Sequence, residues 1–228
     1  HASTGCRAGS IFYEYDKSLK RALTIGDLRD MPHGCQMVTI YRDTKDEYST
    51  FLTPEAVIEI ENFLTARKNK GEILNNESPL FIKLNGTPMT EMDAKQIFKR
   101  IVTVANVRGQ MKNGRYPVQL VHGFRKRFNT IMKLNNSVND NAIEKMMGHQ
   151  KGLDGTYLQI TDERLFEEFY KGITDLTISD EFRDKLKIRE LEKAKPDDEE
   201  IITKIMPEVL IHLRKELGLG TITNDAVD

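Results

Sequence analysis

No stretch of this 228-residue chain approaches the ~20 consecutive apolar residues that a membrane-spanning helix needs, and no signal peptide is visible. Cysteine is scarce: Cys6 and Cys35 are too few for a disulfide framework and have no metal-ligand spacing, so an intracellular, reducing compartment is the default. Repeats and low-complexity tracts are absent as well. One further absence is local. From Ala94 to Asn139, 46 residues, there is no Asp or Glu, against ten Lys or Arg. The overall charge of −1 conceals this zoning, whose consequence is a local positive potential able to attract a polyanion. Residues 181–228 run the other way, with 12 acidic and 9 basic residues.

Hydrophobic residues make up 39% and charged residues 30%, an ordinary balance for a chain that buries one full core. "ALTIGDL" (22–28), "MVTIYR" (37–42) and "EYSTFLT" (47–53) read as short strands, with "DTKD" (43–46) as a hairpin turn. Thr53-Pro54 opens a helix that runs to about Lys70-Gly71, and Thr90 with Asp93 caps another that reaches about Asn106. Further helices are expected over Val118–Leu134, over "SVNDNAIEKMMGH" with Gly148 as its C-cap, and over Asp162–Tyr170. Beyond Ser179, charged amphipathic helices follow on either side of Pro196. These elements predict a mostly α-helical α+β domain over 1–178, with a small antiparallel sheet, and a helical tail over 179–228. His1 directly before "ASTGCRAG" reads as a cut edge, so natural sequence upstream is expected to be missing.

The basic zone holds "HGFRKRF" (122–128). In a helix His122 and Arg125 share a face and reach one small target; a guanidinium grips phosphate oxygens in a bidentate fork, and a nearby imidazole donates to the same group or moves a proton. Alone, the pair reads equally well as a solvated basic face. Its company changes that. "GHQ" with His149 comes 24 residues after Arg125, and Tyr157 follows eight residues later. This ordered set resembles the catalytic block of the tyrosine recombinase (phage integrase) family. "STGCRAGSI" (3–11) is similar to the segment carrying that family's first arginine, here Arg7. "IYRDTKDEYSTFLTPEA" (40–56) is similar to the hairpin carrying its lysine, here Lys45, and resembles archaeal mobile-element integrases. The resemblance covers residues 2–178 and implies the family's three-stranded antiparallel sheet within a mainly helical catalytic domain.

It implies a site as well. Tyr157 would attack a DNA phosphodiester to give a 3′-phosphotyrosyl intermediate, Arg7 and Arg125 would hold the non-bridging oxygens, and Lys45 would protonate the leaving 5′-oxygen. His122 and His149 would bond the phosphate, His122 being the better acceptor for the tyrosine proton. No metal, ATP or other cofactor is implied. Lys112, Arg115, Lys126 and Arg127 are expected on the DNA backbone, which positions a duplex without reading its sequence. Lys17 and Lys20 are alternatives to Lys45, and Tyr170 to Tyr157. The family's N-terminal DNA-clamp domain is missing from the chain, "FYEYDKSLKRALTIGDL" is longer than the corresponding family segment, and the His149–Tyr157 spacing is short. The implied partner is double-stranded DNA, bound by a tetramer. The apolar stripe Phe182, Leu186, Leu191, Ile201, Ile205, Val209, Leu213 and Leu217 would pack on its own domain or on a neighbouring protomer. Alternatives to a mobile-element integrase are a chromosome-dimer resolvase, a type IB topoisomerase-like enzyme, and a DNA-binding protein that keeps the fold without catalysis.

Overall fold

Strand β2 (Cys35–Ile40) buries Cys35, Met37, Val38 and Ile40, which makes it the middle of a sheet rather than an edge. It pairs antiparallel with β1 (Leu28–Met31) on one side and β3 (Tyr48–Leu52) on the other, in the order β1-β2-β3. The register sets Leu28 opposite Val38 and Val38 opposite Thr50. The computed structural model describes residues 1–12, 22–149, 160–193 and 206–216. Two compact units divide the chain, His1–Arg183 and Asp184–Asp228.

The first strand lies later than the sequence predicts. Residues 22–28 are rich in strand formers, yet the Thr24 N–H and hydroxyl both donate to Asp27 Oδ2, at 2.7 and 3.0 Å. That carboxylate offers the backbone a local alternative to a strand ladder, and a 3-10 turn forms over Ile25–Asp27. The strand therefore starts at Leu28. A second 3-10 turn, Pro32–Gly34, links β1 to β2 with His33 at φ 64°.

The helices follow the sequence signals closely. Helix α1 (Pro54–Asn69) has Thr53 at its N-cap and Pro54 in its first turn. Helix α2 (Glu91–Val104) opens with a reciprocal Thr90–Asp93 capping box. Helix α3 (Val121–Leu134) starts three residues after the expected Val118, because Leu120 has ψ −126°, outside helical geometry. Then come α4 (Asp140–Met146), α5 (Asp162–Lys171), the single turn α6 (Ile173–Leu176), α7 (Asp180–Lys193) and α8 (Met206–Glu216). This is a mostly helical α+β fold around one three-stranded antiparallel sheet.

Helix α1 packs on β2, while α4 and α5 pack on β3. Phe51 of β3 meets Phe166 and Phe169 of α5, with ring centroids 5.4 and 5.3 Å apart. Phe128, Met132, Ile143, Met146, Ile173 and Leu176 are fully buried as well. In a close-packed interior of this kind, the position of α3 is fixed to within a side chain's fit.

Candidate active site

Val121, Arg125, Phe128 and Met132 recur at the spacing of one helix face, and all four are buried. Arg125 is therefore a charge inside an apolar stripe, only 6% exposed. A buried guanidinium persists only if its donors are used. Here Nη1 donates to Gly5 O at 2.6 Å, and Nη2 donates to Met147 O at 2.7 Å and to His149 Nε2 at 2.7 Å. Burial holds this guanidinium below its ordinary pKa, and the like charge of Arg7 pushes the same way.

Two glycines make those acceptors available. Gly5 lies at φ 60°, and a Cβ built there would run into the Phe128 ring; Gly148 lies at φ 63°, and a Cβ there would run into the Tyr48 ring. Both positions require the left-handed backbone and the missing side chain together. Past Gly148 the chain closes a Schellman motif, with Gly148 N–H donating to Lys145 O at 2.8 Å and His149 N–H to Glu144 O at 2.9 Å. This turn folds His149 back over Glu144. His149 Nδ1 then lies 2.6 Å from Glu144 Oε2, and Glu144 Oε1 lies 2.6 Å from Lys133 Nζ. A guanidinium can only donate and a carboxylate can only accept, so a neutral ring held between the two accepts from Arg125 at Nε2 and carries its proton on Nδ1.

Arg7 is exposed and lines two neighbouring cavities. One, of about 410 Å³, also takes in His122, Arg125, Tyr41 and the Glu91–Lys95 ion pair. The other, of about 500 Å³, takes in Tyr41, Tyr48, His149 and Ile160, with Asp46, Glu47 and Asp162 among its carboxylates. The structure thus brings Arg7, His122, Arg125 and His149 together around a shared wall. Among the described residues, Tyr48 and Tyr41 are the tyrosines of that wall. Burial pushes the Tyr48 phenol well above its usual value, so it stays protonated, and Tyr41 is only 7% exposed.

The other expected site residues are placed as follows. Lys45 is exposed on the loop 41–47 between β2 and β3 and lines neither cavity. Lys112 and Arg115 face each other across a two-residue turn whose tip, Asn113-Gly114, has φ 49° and 72°. Both are exposed, as is Lys126. Arg127 is engaged within the fold: its Nη1 donates to Leu176 O at 3.0 Å and its Nη2 to Asp175 O at 3.1 Å, which ties α3 to α6. Tyr170 packs at a tilt against His33 and Phe166 and lines neither cavity. Tyr157, Lys17 and Lys20 lie outside the described residues.

Glu144, Gly5 and Tyr48 escape a reading of the sequence. Glu144 precedes His149 by five residues across a helix stop, where no helical spacing pairs them. Gly5 and Tyr48 act through one carbonyl and one ring face, for which composition holds no signal.

A family profile described as "Phage integrase family" matches residues 20–159. The chain belongs to the phage integrase family. Arg7 precedes the matched segment, while Lys45, His122, Arg125, His149 and Tyr157 fall inside it. Among curated proteins none matches the chain. Among solved structures it is similar to the XerH site-specific recombinase bound to difH substrate in a pre-cleavage complex, at 18% identity and a TM-score of 0.47, over 66% of this chain and 37% of that one. The XerA recombinase is similar at 17% identity and a TM-score of 0.47, over 74% of this chain and 53% of that one. The Tn1549 transposon integrase in complex with transposon right end DNA is similar at 22% identity and a TM-score of 0.44, over 73% and 55%. This phage integrase family chain therefore spans between about a third and a little over half of those structures' length.

Proposed function

We propose that this chain carries the catalytic centre of a site-specific DNA recombinase of the integrase type, acting on double-stranded DNA through a 3′-phosphotyrosyl intermediate. The observation that carries the reading is the convergence of Arg7, His122, Arg125 and His149 on adjoining cavities, with Arg125 held rigidly by two backbone carbonyls. Two guanidinium groups side by side repel each other, and a bound phosphodiester would neutralise both.

In this reading the Tyr157 hydroxyl oxygen attacks phosphorus, its proton passing to His122. The bond from phosphorus to the 5′-oxygen breaks, and Lys45 supplies the proton to that oxygen. Arg7 and Arg125 hold the non-bridging oxygens as charge builds on them, the work that preorganised donors do best in a site already aligned before reaction. The bond energy is kept in the phosphotyrosyl ester, so attack by a 5′-hydroxyl of another strand reverses the step and rejoins DNA. His149 and Ile160 both line the second cavity, and Tyr157 is tethered three residues from Ile160. Lys112, Arg115 and Lys126 would meet the flanking backbone, and Arg127 would join them only by releasing the Asp175 and Leu176 carbonyls. Assembly would be a tetramer on two duplexes.

A duplex nicked beside the cleavage position tests this, because the short released strand diffuses away and traps the covalent adduct. Wild-type protein is expected to form the adduct, and Tyr157→Phe to abolish it. Binding of the same duplex without any adduct would favour a non-catalytic DNA-binding protein. An adduct that persists in Tyr157→Phe would move the nucleophile elsewhere, with Tyr170 tested next.

A further inference from the structure

Glu144 stands behind the site and touches no cavity that a phosphate would enter through Arg7 and Arg125. Its two carboxylate oxygens are divided: Oε2 takes His149 Nδ1 and Oε1 takes Lys133 Nζ, each at 2.6 Å. We propose that Glu144 is a positioning residue that fixes which nitrogen of His149 faces Arg125, an inference that rests on the DNA-cleaving reading above for its consequence in catalysis.

A neutral imidazole carries one proton, on either nitrogen. With the proton on Nε2, the ring would point an N–H at the N–H of Arg125 Nη2, donor against donor, across 2.7 Å. With it on Nδ1, both contacts are satisfied, and Glu144 is the acceptor that makes this tautomer the stable one. Fixing a tautomer through a carboxylate on the far nitrogen is how a buried aspartate holds the histidine of a serine protease triad, where its amide replacement leaves the wrong tautomer. Carboxylate partners of metal-bound histidines work by the same means. Here the object held is a guanidinium. His149 Nε2 completes the cradle made by Gly5 O and Met147 O, so the ring's tautomer decides whether Arg125 has three acceptors or two acceptors and an opposing donor.

Lys133 has a different part. It restrains Glu144 from the side away from His149, and the hydrogen bond it donates to Glu144 holds the lysine ammonium above its usual pKa. Losing Lys133 loosens the packing of α3 on α4 but leaves the Glu144–His149 bond in place. A role confined to holding two helices together would therefore weigh equally on Lys133 and Glu144; a positioning role would not.

The test uses the full chain with histidine labelled in the ring nitrogens. At about pH 8, above the ordinary histidine range, the imidazole nitrogen shifts report the tautomer. His149 in the wild type is expected to show the Nδ1–H pattern, Glu144→Gln to keep it through its amide oxygen, and Glu144→Ala to lose it as the ring, no longer anchored at Nδ1, turns away from Arg125. On the nicked duplex, Glu144→Ala is expected to slow adduct formation by about 10- to 100-fold, by analogy with the loss when the outer hydrogen-bond partner of a metal-bound histidine is removed. Duplex binding should stay within about threefold, and Glu144→Gln should recover most of the rate. Lys133→Met should lower the unfolding midpoint while leaving the tautomer intact. An unchanged tautomer in Glu144→Ala overturns the proposal. So does an equal loss of rate in Lys133→Met and Glu144→Ala. A wild-type protein that forms no adduct overturns the DNA-cleaving reading instead, and the nitrogen shifts then still decide whether Glu144 sets the ring.

Discussion

Gly148→Ala attacks the site at the turn that delivers both Met147 O and His149. Two penalties apply. Gly148 lies at φ 63°, where an L-residue brings its Cβ too close to the next carbonyl, at about 1–2 kcal/mol. The new methyl also falls within the Tyr48 ring, which is hemmed in by Tyr41 at a centroid distance of 6.2 Å. Forcing an extra methyl into a filled interior costs about 1–3 kcal/mol in displaced side chains. The two together give about 2–5 kcal/mol, which for a domain of this size is a fall of roughly 4–20 °C in the unfolding midpoint. Urea unfolding followed by circular dichroism measures the loss directly. Tyr48→Ala separates the two penalties: without the ring, Gly148→Ala should cost only the backbone share, so the double-mutant cycle should show about 1–3 kcal/mol of coupling. A loss below about 1 kcal/mol in the single variant, or a cycle without coupling, would refute the argument that Gly148 answers to both its backbone and the Tyr48 ring.

Arg125→Lys keeps the charge but replaces a planar fork by a single ammonium, which cannot serve Gly5 O, Met147 O and His149 at once; adduct formation should fall by more than about 100-fold, with about 1–3 kcal/mol lost in urea unfolding. Glu72 is held below its usual pKa by its hydrogen bonds from the buried Arg67. A depressed carboxylate contributes stability above its unfolded value of about 4.3 and loses it as pH falls through the folded value. The urea midpoints of wild type and Glu72→Gln should therefore differ at pH 7 and converge as pH falls below about 4. Lys112→Ala and Arg115→Ala should each weaken duplex binding across all sequences and reduce the slope of log affinity against log salt by about 1, measured by fluorescence anisotropy. Deleting residues 180–228 should weaken assembly on DNA more than binding of a single duplex; unchanged assembly by light scattering would refute that role for the apolar stripe.

Helices announced themselves in the sequence because their signals are local. Thr53-Pro54, the Thr90–Asp93 box and Gly148 each mark an end within a few residues of where the structure has it. The first strand was displaced because Thr24 and Asp27 form a local turn stronger than the strand preference of their neighbours. The meeting of Arg7, His122, Arg125 and His149 was legible, since each stands in a short motif, whereas Lys45 lines neither cavity. The burial of Arg125 was not legible. A basic residue on an exposed-looking stretch reads as surface until its acceptors are known, and those lie 120 and 22 residues away in the chain. Glu144 was hidden for a related reason: the Schellman turn, rather than helix periodicity, brings it beneath His149.

The bond from Arg125 to Gly5 O also sets a clock. The two residues are 120 positions apart, and at about 5–20 residues per second a ribosome needs roughly 6–24 s to make the intervening chain. Thr4 finds a partner sooner, in the Thr50 hydroxyl, 46 positions on, so the N-terminal segment can dock on β3 well before α3 exists. Throughout that interval Arg7 is present without Arg125, and the cavity wall that the two guanidinium groups share is only half made. Synthesis order thus leaves the Gly5 carbonyl without its guanidinium until α3 has emerged, so this corner of the fold closes late.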